Sequence, residues 1–233
     1  KKNIQFIFRW GKCSKHAYLS GLSISHERAV VPSMGQCCAA TGAFMASIPA
    51  ERVVDEGFRL ALTGTPGTGK STVAGLLSEE GFEVLTVESL ADEAGLKGDL
   101  DPTDDALVID TEALHEVLLD SWQTMPVDPV IVDGHLSHHL PCDAVVVLRC
   151  SPDVLESRLA GRGYHSDKIQ SNCEWELIGG AWNEYEDGFP WIEFDTTASD
   201  AESIVASING WITDGFKPVS QSPGIDWIER MED

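Results

Sequence analysis

Residues 59–72 read RLALTGTPGTGKST, and the fold is decided there. A short apolar run over 59–63 enters a glycine-rich turn. Apolar positions at helical spacing follow over 71–77, and Gly81 stands where such a helix would stop. Gly64, Gly69, Lys70 and Ser71 complete the pattern G-x-x-x-x-G-K-[ST] between a strand and a helix, the context the pattern requires. Its glycines let successive backbone N–H groups turn inward around phosphate oxygens, and the helix N-terminus adds partial positive charge. Lys70 is then the group that reaches the outer phosphates, and the Ser71 hydroxyl a ligand for magnesium.

Working outward, strands and helices alternate. Residues 83–87 read as a second strand, 88–98 as a short helix and turn, and 100–105 as an acidic loop. Residues 111–122 read as a helix with Leu114, Val117 and Leu118 on one face. PVIVD over 129–133 and AVVVL over 144–148 are continuous apolar runs, as in strands buried on both faces of a parallel sheet. Ser151-Pro152-Asp153 starts a helix that reaches residue 160. A glycine-bracketed loop over 161–166 leads into a long helix ending near Asp187, with a kink expected at Gly179-Gly180. A fifth strand over 191–195, a last helix over 201–212 and a polar tail over 214–233 complete the chain. The predicted architecture is α/β: a three-layer P-loop NTPase fold around a parallel sheet of five strands.

A phosphate loop needs an acid on a neighbouring strand to hold magnesium through water. Asp133 ends the apolar run Val130-Ile131-Val132 and fits that role, against the alternative of a plain strand-end aspartate. His135, two residues on, is a candidate to position a water or the γ-phosphate, against the alternative of a loop histidine. His138 and His139 find no further ligands at metal spacing and read as surface residues. Arg149, Arg158, Arg162 and Lys168 lie close together, and phosphoryl transfer needs cations around the developing charge. Arg162 sits in a flexible loop suited to close over a nucleotide and exclude water. Arg158 reads either so or as a helix-surface ion pair with Asp153 or Glu156. Trp175, Trp182 and Trp191 read as packing residues, since their spacing offers no open nucleic-acid platform.

The chain has 38 acids against 16 bases, a net charge of −22. The excess is uneven. Residues 1–57 hold seven bases against four acids, and the rest nine bases against 34 acids. That balance argues against a broad basic face for nucleic acid, sequence-specific DNA included, yet leaves room for a small phosphate pocket. Even acid excess with lysine scarce suits a salt-loving cytoplasm, where concentrated salt screens self-repulsion. No apolar run is long enough to span a membrane, which takes about 18 residues. Residues 1–57 are expected to be a poorly ordered or spurious extension, with a targeting role the weaker alternative. Cys13, Cys37 and Cys38 there form no C-x-x-C pair, so no zinc knuckle is expected.

GTPGTGKST, VIVDGH and VVVLRCSPDVLESRLAGRGYHSDKIQSN together resemble the atypical adenylate kinases of archaea and the eukaryotic nucleus, in a version like that of halophilic archaea. The resemblance implies strand order 2-3-1-4-5 within a nucleoside monophosphate kinase domain over 58–213. It implies ATP contacts at Gly64, Gly67, Thr68, Gly69, Lys70, Ser71, Thr72 and Arg162, and catalytic roles for Lys70, Asp133, His135 and Arg162. Ser71 and, through water, Asp133 would hold Mg2+. A monophosphate-binding segment is implied over 86–109 and a lid over 161–171. The family arginine expected for the monophosphate is replaced by Asp92, and Lys97 is the only base between Glu83 and Asp128.

Two function classes stand side by side. One is a magnesium-dependent adenylate kinase, ATP and AMP to two ADP. The other, implied by the family's role in small ribosomal subunit maturation, is an assembly ATPase whose partners are a platform ribosomal protein and pre-ribosomal RNA. An acidic surface suits a basic ribosomal protein. A small-metabolite kinase is a third reading, which lacks a carboxylate-binding arginine in the second site.

Overall fold

Alternate residues of the central strands face opposite ways, and the core divides accordingly. Leu60, Leu62, Ile131, Ala144, Val146 and Leu148 pack into one apolar cluster. Ala61, Val130, Val132, Val145 and Val147 pack into a second cluster on the other face. Such two-sided burial requires helices on both faces, and it explains why these runs read as unbroken apolar sequence. Each fully buried Leu or Val contributes about 1.5–3 kcal/mol over an exposed one.

The computed structural model describes residues 57–101 and 106–232. The extension expected over 1–57 therefore lies, Gly57 apart, outside the described residues. In chain order the elements are β1 (Arg59–Thr63), α1 (Lys70–Glu79), β2 (Glu83–Thr86), α2 (Val87–Glu93), β3 (Lys97–Asp101), β4 (Ala106–Ile109) and α3 (Thr111–Ser121). Then come β5 (Val130–Asp133), β6 (Ala144–Arg149), α4 (Pro152–Ala160), α5 (Ser166–Leu177), β7 (Trp191–Asp195), α6 (Ala201–Thr213) and α7 (Trp227–Glu232). The five-stranded sheet runs β2-β5-β1-β6-β7, all parallel. Counting only its own strands, that is the expected order 2-3-1-4-5. Leu62 pairs with Asp133, and Thr63 with Val147, so the end of β5 lies beside the start of the glycine-rich turn.

Some helices carry a side-chain cap at their start, as α2 and α6 do. Asp200 accepts from the Ser203 N–H ahead of α6, and Thr86 and Ser89 form a reciprocal capping pair ahead of α2. Helix α6 buries Ile204, Val205, Ile208 and Trp211, and α1 buries Val73, Ala74 and Leu77, in the same cluster.

Four expectations are corrected. Val87 does not extend β2 but opens α2. Residues 97–101, read as the end of a turn and the start of an acidic loop over 100–105, form β3, which pairs antiparallel with β4; 102–105 lie outside the described residues. The long helix ends at Leu177 rather than near Asp187, because Gly179 and Gly180 both take positive φ, at 116° and 56°, and a short 3-10 turn (Gly180–Glu184) follows. The stretch after 213 is more than a polar tail: Phe216, Ile225 and Trp227 are buried and it ends in α7. No helix among the described residues is long and apolar enough to cross a membrane.

Candidate active site

The turn between β1 and α1 takes its shape from glycine. Gly64 has φ 134°, and a Cβ there would collide with the Leu148 carbonyl of the neighbouring strand. Gly69 has φ 100° and opens onto empty space, where successive N–H groups at the start of α1 can meet an anion. The Thr68 hydroxyl donates to the Thr65 carbonyl at 2.9 Å, so the Thr68 side chain shapes the loop.

Lys70 is buried, and its Nζ donates to the Gly64 and Thr65 carbonyls at 2.7 and 3.1 Å. Burial pushes its ammonium down to about 8, with Asp133 and Glu176 opposing that shift and Arg162 adding to it. Burial likewise raises the Asp133 carboxyl, while Lys70 and a hydrogen bond from the Ser71 hydroxyl pull it back. Lys70, Ser71 and Asp133 are thus neighbours. Ser71 and Thr72 are exposed on the first turn of α1.

His135 joins this group. Its carbonyl accepts from the Thr63 hydroxyl at 3.0 Å, which ties the loop after β5 to the end of β1. Burial above all, then the Lys70 charge, brings its imidazole down to about 3, so it is neutral at pH 7.

A cleft of about 240 Å³ opens beside the loop, lined by Gly67, Gly69, Thr72, Arg158, Arg162 and Thr196 among others. Arg158 makes no surface pair with Asp153 or Glu156. It donates to the Thr196 carbonyl at 2.7 Å and to the Gly67 carbonyl at 3.4 Å. Arg162, which is exposed, lines the same cleft from the turn between α4 and α5. Sequence reasoning left Arg158 open because two acids, Asp153 and Glu156, precede it in the same helix. Of the four clustered cations, Arg149 and Lys168 do not line this cleft; Lys168 lies over the Tyr164 ring, 5.9 Å from its centroid.

Arg149 is fully buried instead and anchors a network that the sequence did not announce. Its Nε donates to Glu176 at 2.6 Å and its Nη1 to Glu193 at 3.1 Å. Glu176 also accepts from the Thr65 hydroxyl of the phosphate loop, from the Cys150 N–H at 3.2 Å and from the Trp227 indole of α7 at 3.0 Å. Trp182 and Trp191 are buried, as expected, and Trp175 is partly so.

His138 is not a surface residue. Its ring lies buried between the Thr63 hydroxyl, 2.8 Å from Nδ1, and Glu184, 2.9 Å from Nε2. In the segment 86–109, Lys97 is held by Glu88 at 2.7 Å, with Asp92 at 3.9 Å.

Residues 60–179 match the family model described as an AAA domain. Two archaeal proteins that carry the provisional name adenylate kinase are similar over most of their length. The one from Archaeoglobus fulgidus is 38% identical over 182 residues, covering 75% of this chain and 94% of that protein. The one from Pyrococcus abyssi is 39% identical over 180 residues, covering 75% and 93%. Among solved structures, a shikimate kinase from Acinetobacter baumannii aligns over 71% of this chain and 97% of its own, at 15% identity and a TM-score of 0.48.

Proposed function

This chain belongs to a divergent adenylate-kinase-like family, and from that premise we propose that it is a nucleoside monophosphate kinase acting on magnesium-ATP, with AMP as acceptor. The observation that carries the reading is the convergence of Lys70, Ser71 and Asp133 at the open end of a glycine-shaped cradle. Lys70 is a buried cation answered mainly by carbonyl dipoles, and a phosphate oxygen is the partner that would answer it fully. The residues fit magnesium: Ser71 would hold it directly and Asp133 through water, and when bound it would neutralise charge on the outer phosphates.

The chemistry needs no covalent intermediate. An oxygen of the acceptor phosphate forms a bond to the γ-phosphorus while the bond to the β–γ bridging oxygen breaks, and ADP leaves with that electron pair. Lys70 and Arg162 would steady the charge on the transferring group. Arg158 holds the Gly67 carbonyl and Thr196, and so sets one wall of the ATP cleft. His135, neutral and beside Lys70, would orient a water or the γ-phosphate.

A second reading is favoured by one observation. Lys97 is already engaged by Glu88, and Asp92 stands nearby, so the acceptor phosphate meets acids rather than a committed cation. An ATPase that hydrolyses slowly and acts in ribosomal-subunit assembly would tolerate that deficit. ADP production from magnesium-ATP in molar potassium chloride, with and without AMP and beside Lys70→Ala, separates the two. Strong stimulation by AMP that Lys70→Ala abolishes supports the kinase. Slow turnover indifferent to AMP, and also abolished by Lys70→Ala, supports the ATPase.

A further inference from the structure

Away from the phosphate cradle, three potential metal ligands from distant parts of the sequence converge. His138 and His139 lie in the 3-10 turn Ser137–His139, and Glu184 ends the turn Gly180–Glu184. The paired positive φ of Gly179 and Gly180 turns the chain after α5 and starts that second turn, so Glu184 meets the histidines where a continuous helix would have carried it onward. The Nε2 atoms of His138 and His139 lie 2.9 and 3.3 Å from one Glu184 oxygen, and all three donor atoms fall within 4.8 Å of one another.

These separations suit one small divalent ion. With metal–ligand bonds of about 2.0–2.2 Å, two donors at right-angled to tetrahedral spacing stand about 2.9–3.5 Å apart. Two imidazoles and one carboxylate are a borderline donor set, matched to zinc-like first-row ions rather than to magnesium, which favours oxygen. The surroundings supply the outer support that a metal-bound histidine requires. Ligation through Nε2 leaves the His138 proton on Nδ1, where it faces the Thr63 hydroxyl oxygen at 2.8 Å. Thr63 is then free to donate its own proton to the His135 carbonyl at 3.0 Å, so each group has a partner. The donor atoms are sheltered from solvent: His138 is 2% exposed and the His139 Nε2 atom is buried, although the His139 and Glu184 side chains as wholes are 26% and 18% exposed.

We propose that His138, His139 and Glu184 bind a zinc-class divalent cation at a site separate from the magnesium of the nucleotide. The ion would clip the turn after β5, which follows Asp133 and His135 directly, to the segment that follows α5. It would stiffen one wall of the cradle without touching the reacting atoms.

The test uses the full chain, stripped with chelator and titrated with cobalt(II) chloride in excess magnesium, with zinc sulfate as competitor. One equivalent of cobalt should give visible d–d bands that zinc erases. His139→Ala and Glu184→Gln should each weaken that binding by roughly tenfold to a hundredfold or more. His139→Cys, which keeps a ligand, should retain the bands and add a sulfur-to-cobalt charge-transfer band in the near ultraviolet. That gain does not depend on comparing weakened variants. Absence of d–d bands in the wild type would overturn the proposal. So would bands of equal affinity in both ligand-removing variants, or a His139→Cys protein whose bound cobalt shows no sulfur band. Any of these would leave the three residues as a hydrogen-bonded cluster alone.

Discussion

Replacing Glu176 by alanine should cost the fold about 3 kcal/mol or more, and the reasoning starts from what that carboxylate holds. Glu176 is fully buried and accepts from Arg149, Thr65, the Cys150 N–H and Trp227. Removing one partner of a buried ion pair typically costs about 3–5 kcal/mol, because the other charge stays buried. The lower end applies here, since Arg149 retains Glu193 at 3.1 Å. For a chain of this size the loss corresponds to a fall in Tm of roughly 6–12 °C. Denaturant unfolding at fixed salt gives the free energy, and Thr65→Val with the double variant gives the coupling. That coupling should be about 0.5–3 kcal/mol if the loop hydroxyl and the carboxylate act together. Burial shields the pair, so its contribution should be nearly the same at low and high salt. A loss below about 1 kcal/mol would refute the argument that the network is held by charge rather than by shape.

Four further outcomes are expected. ATP affinity should weaken as pH rises through about 8, because Lys70 in the empty loop loses its proton there and binding must then restore it; calorimetric Kd values that stay flat from neutral to alkaline pH would contradict this. Arg158→Ala should raise KM for ATP roughly tenfold with the fold intact by circular dichroism, from the loss of charge-assisted bonds to Gly67 and Thr196 worth about 1.5–3 kcal/mol. Asp92→Arg should lower KM for AMP several-fold in the coupled kinase assay, whereas an unchanged KM would place the acceptor phosphate elsewhere. Tm should rise between low-salt buffer and molar potassium chloride, since residues 58–233 carry 34 acids against nine bases and the excess carboxylates repel one another in dilute solution; equal Tm values would argue against a salt-adapted surface.

The centre of the parallel sheet was readable because β1, β5 and β6 are buried on both faces and therefore carry nearly pure apolar runs. The phosphate loop was readable because glycine, lysine and serine at fixed spacing admit few other conformations. The hairpin β3–β4 was hidden: KGDLD carries three charges in five residues, and aspartate and glycine are poor strand formers, so only its pairing with ALVI makes it a strand. The burial of His138 was hidden because its partners, Thr63 and Glu184, lie 75 and 46 positions away. Arg149 and Glu176 are likewise 27 positions apart, and nothing local in either neighbourhood tells a buried pair from two solvated charges. The Gly179-Gly180 pair was noticed as a weakness in a helix, but its positive φ values end that helix altogether.

The docking of α7 has a practical side. The indole of Trp227 donates to the carboxylate that also takes the Thr65 hydroxyl, so an aromatic reporter stands one shared acceptor away from the loop that receives phosphate. A fluorine on that ring would give a single magnetic resonance line that senses loop rearrangement directly. Filling of the cradle could then be followed from the far end of the chain, with no label placed on the nucleotide.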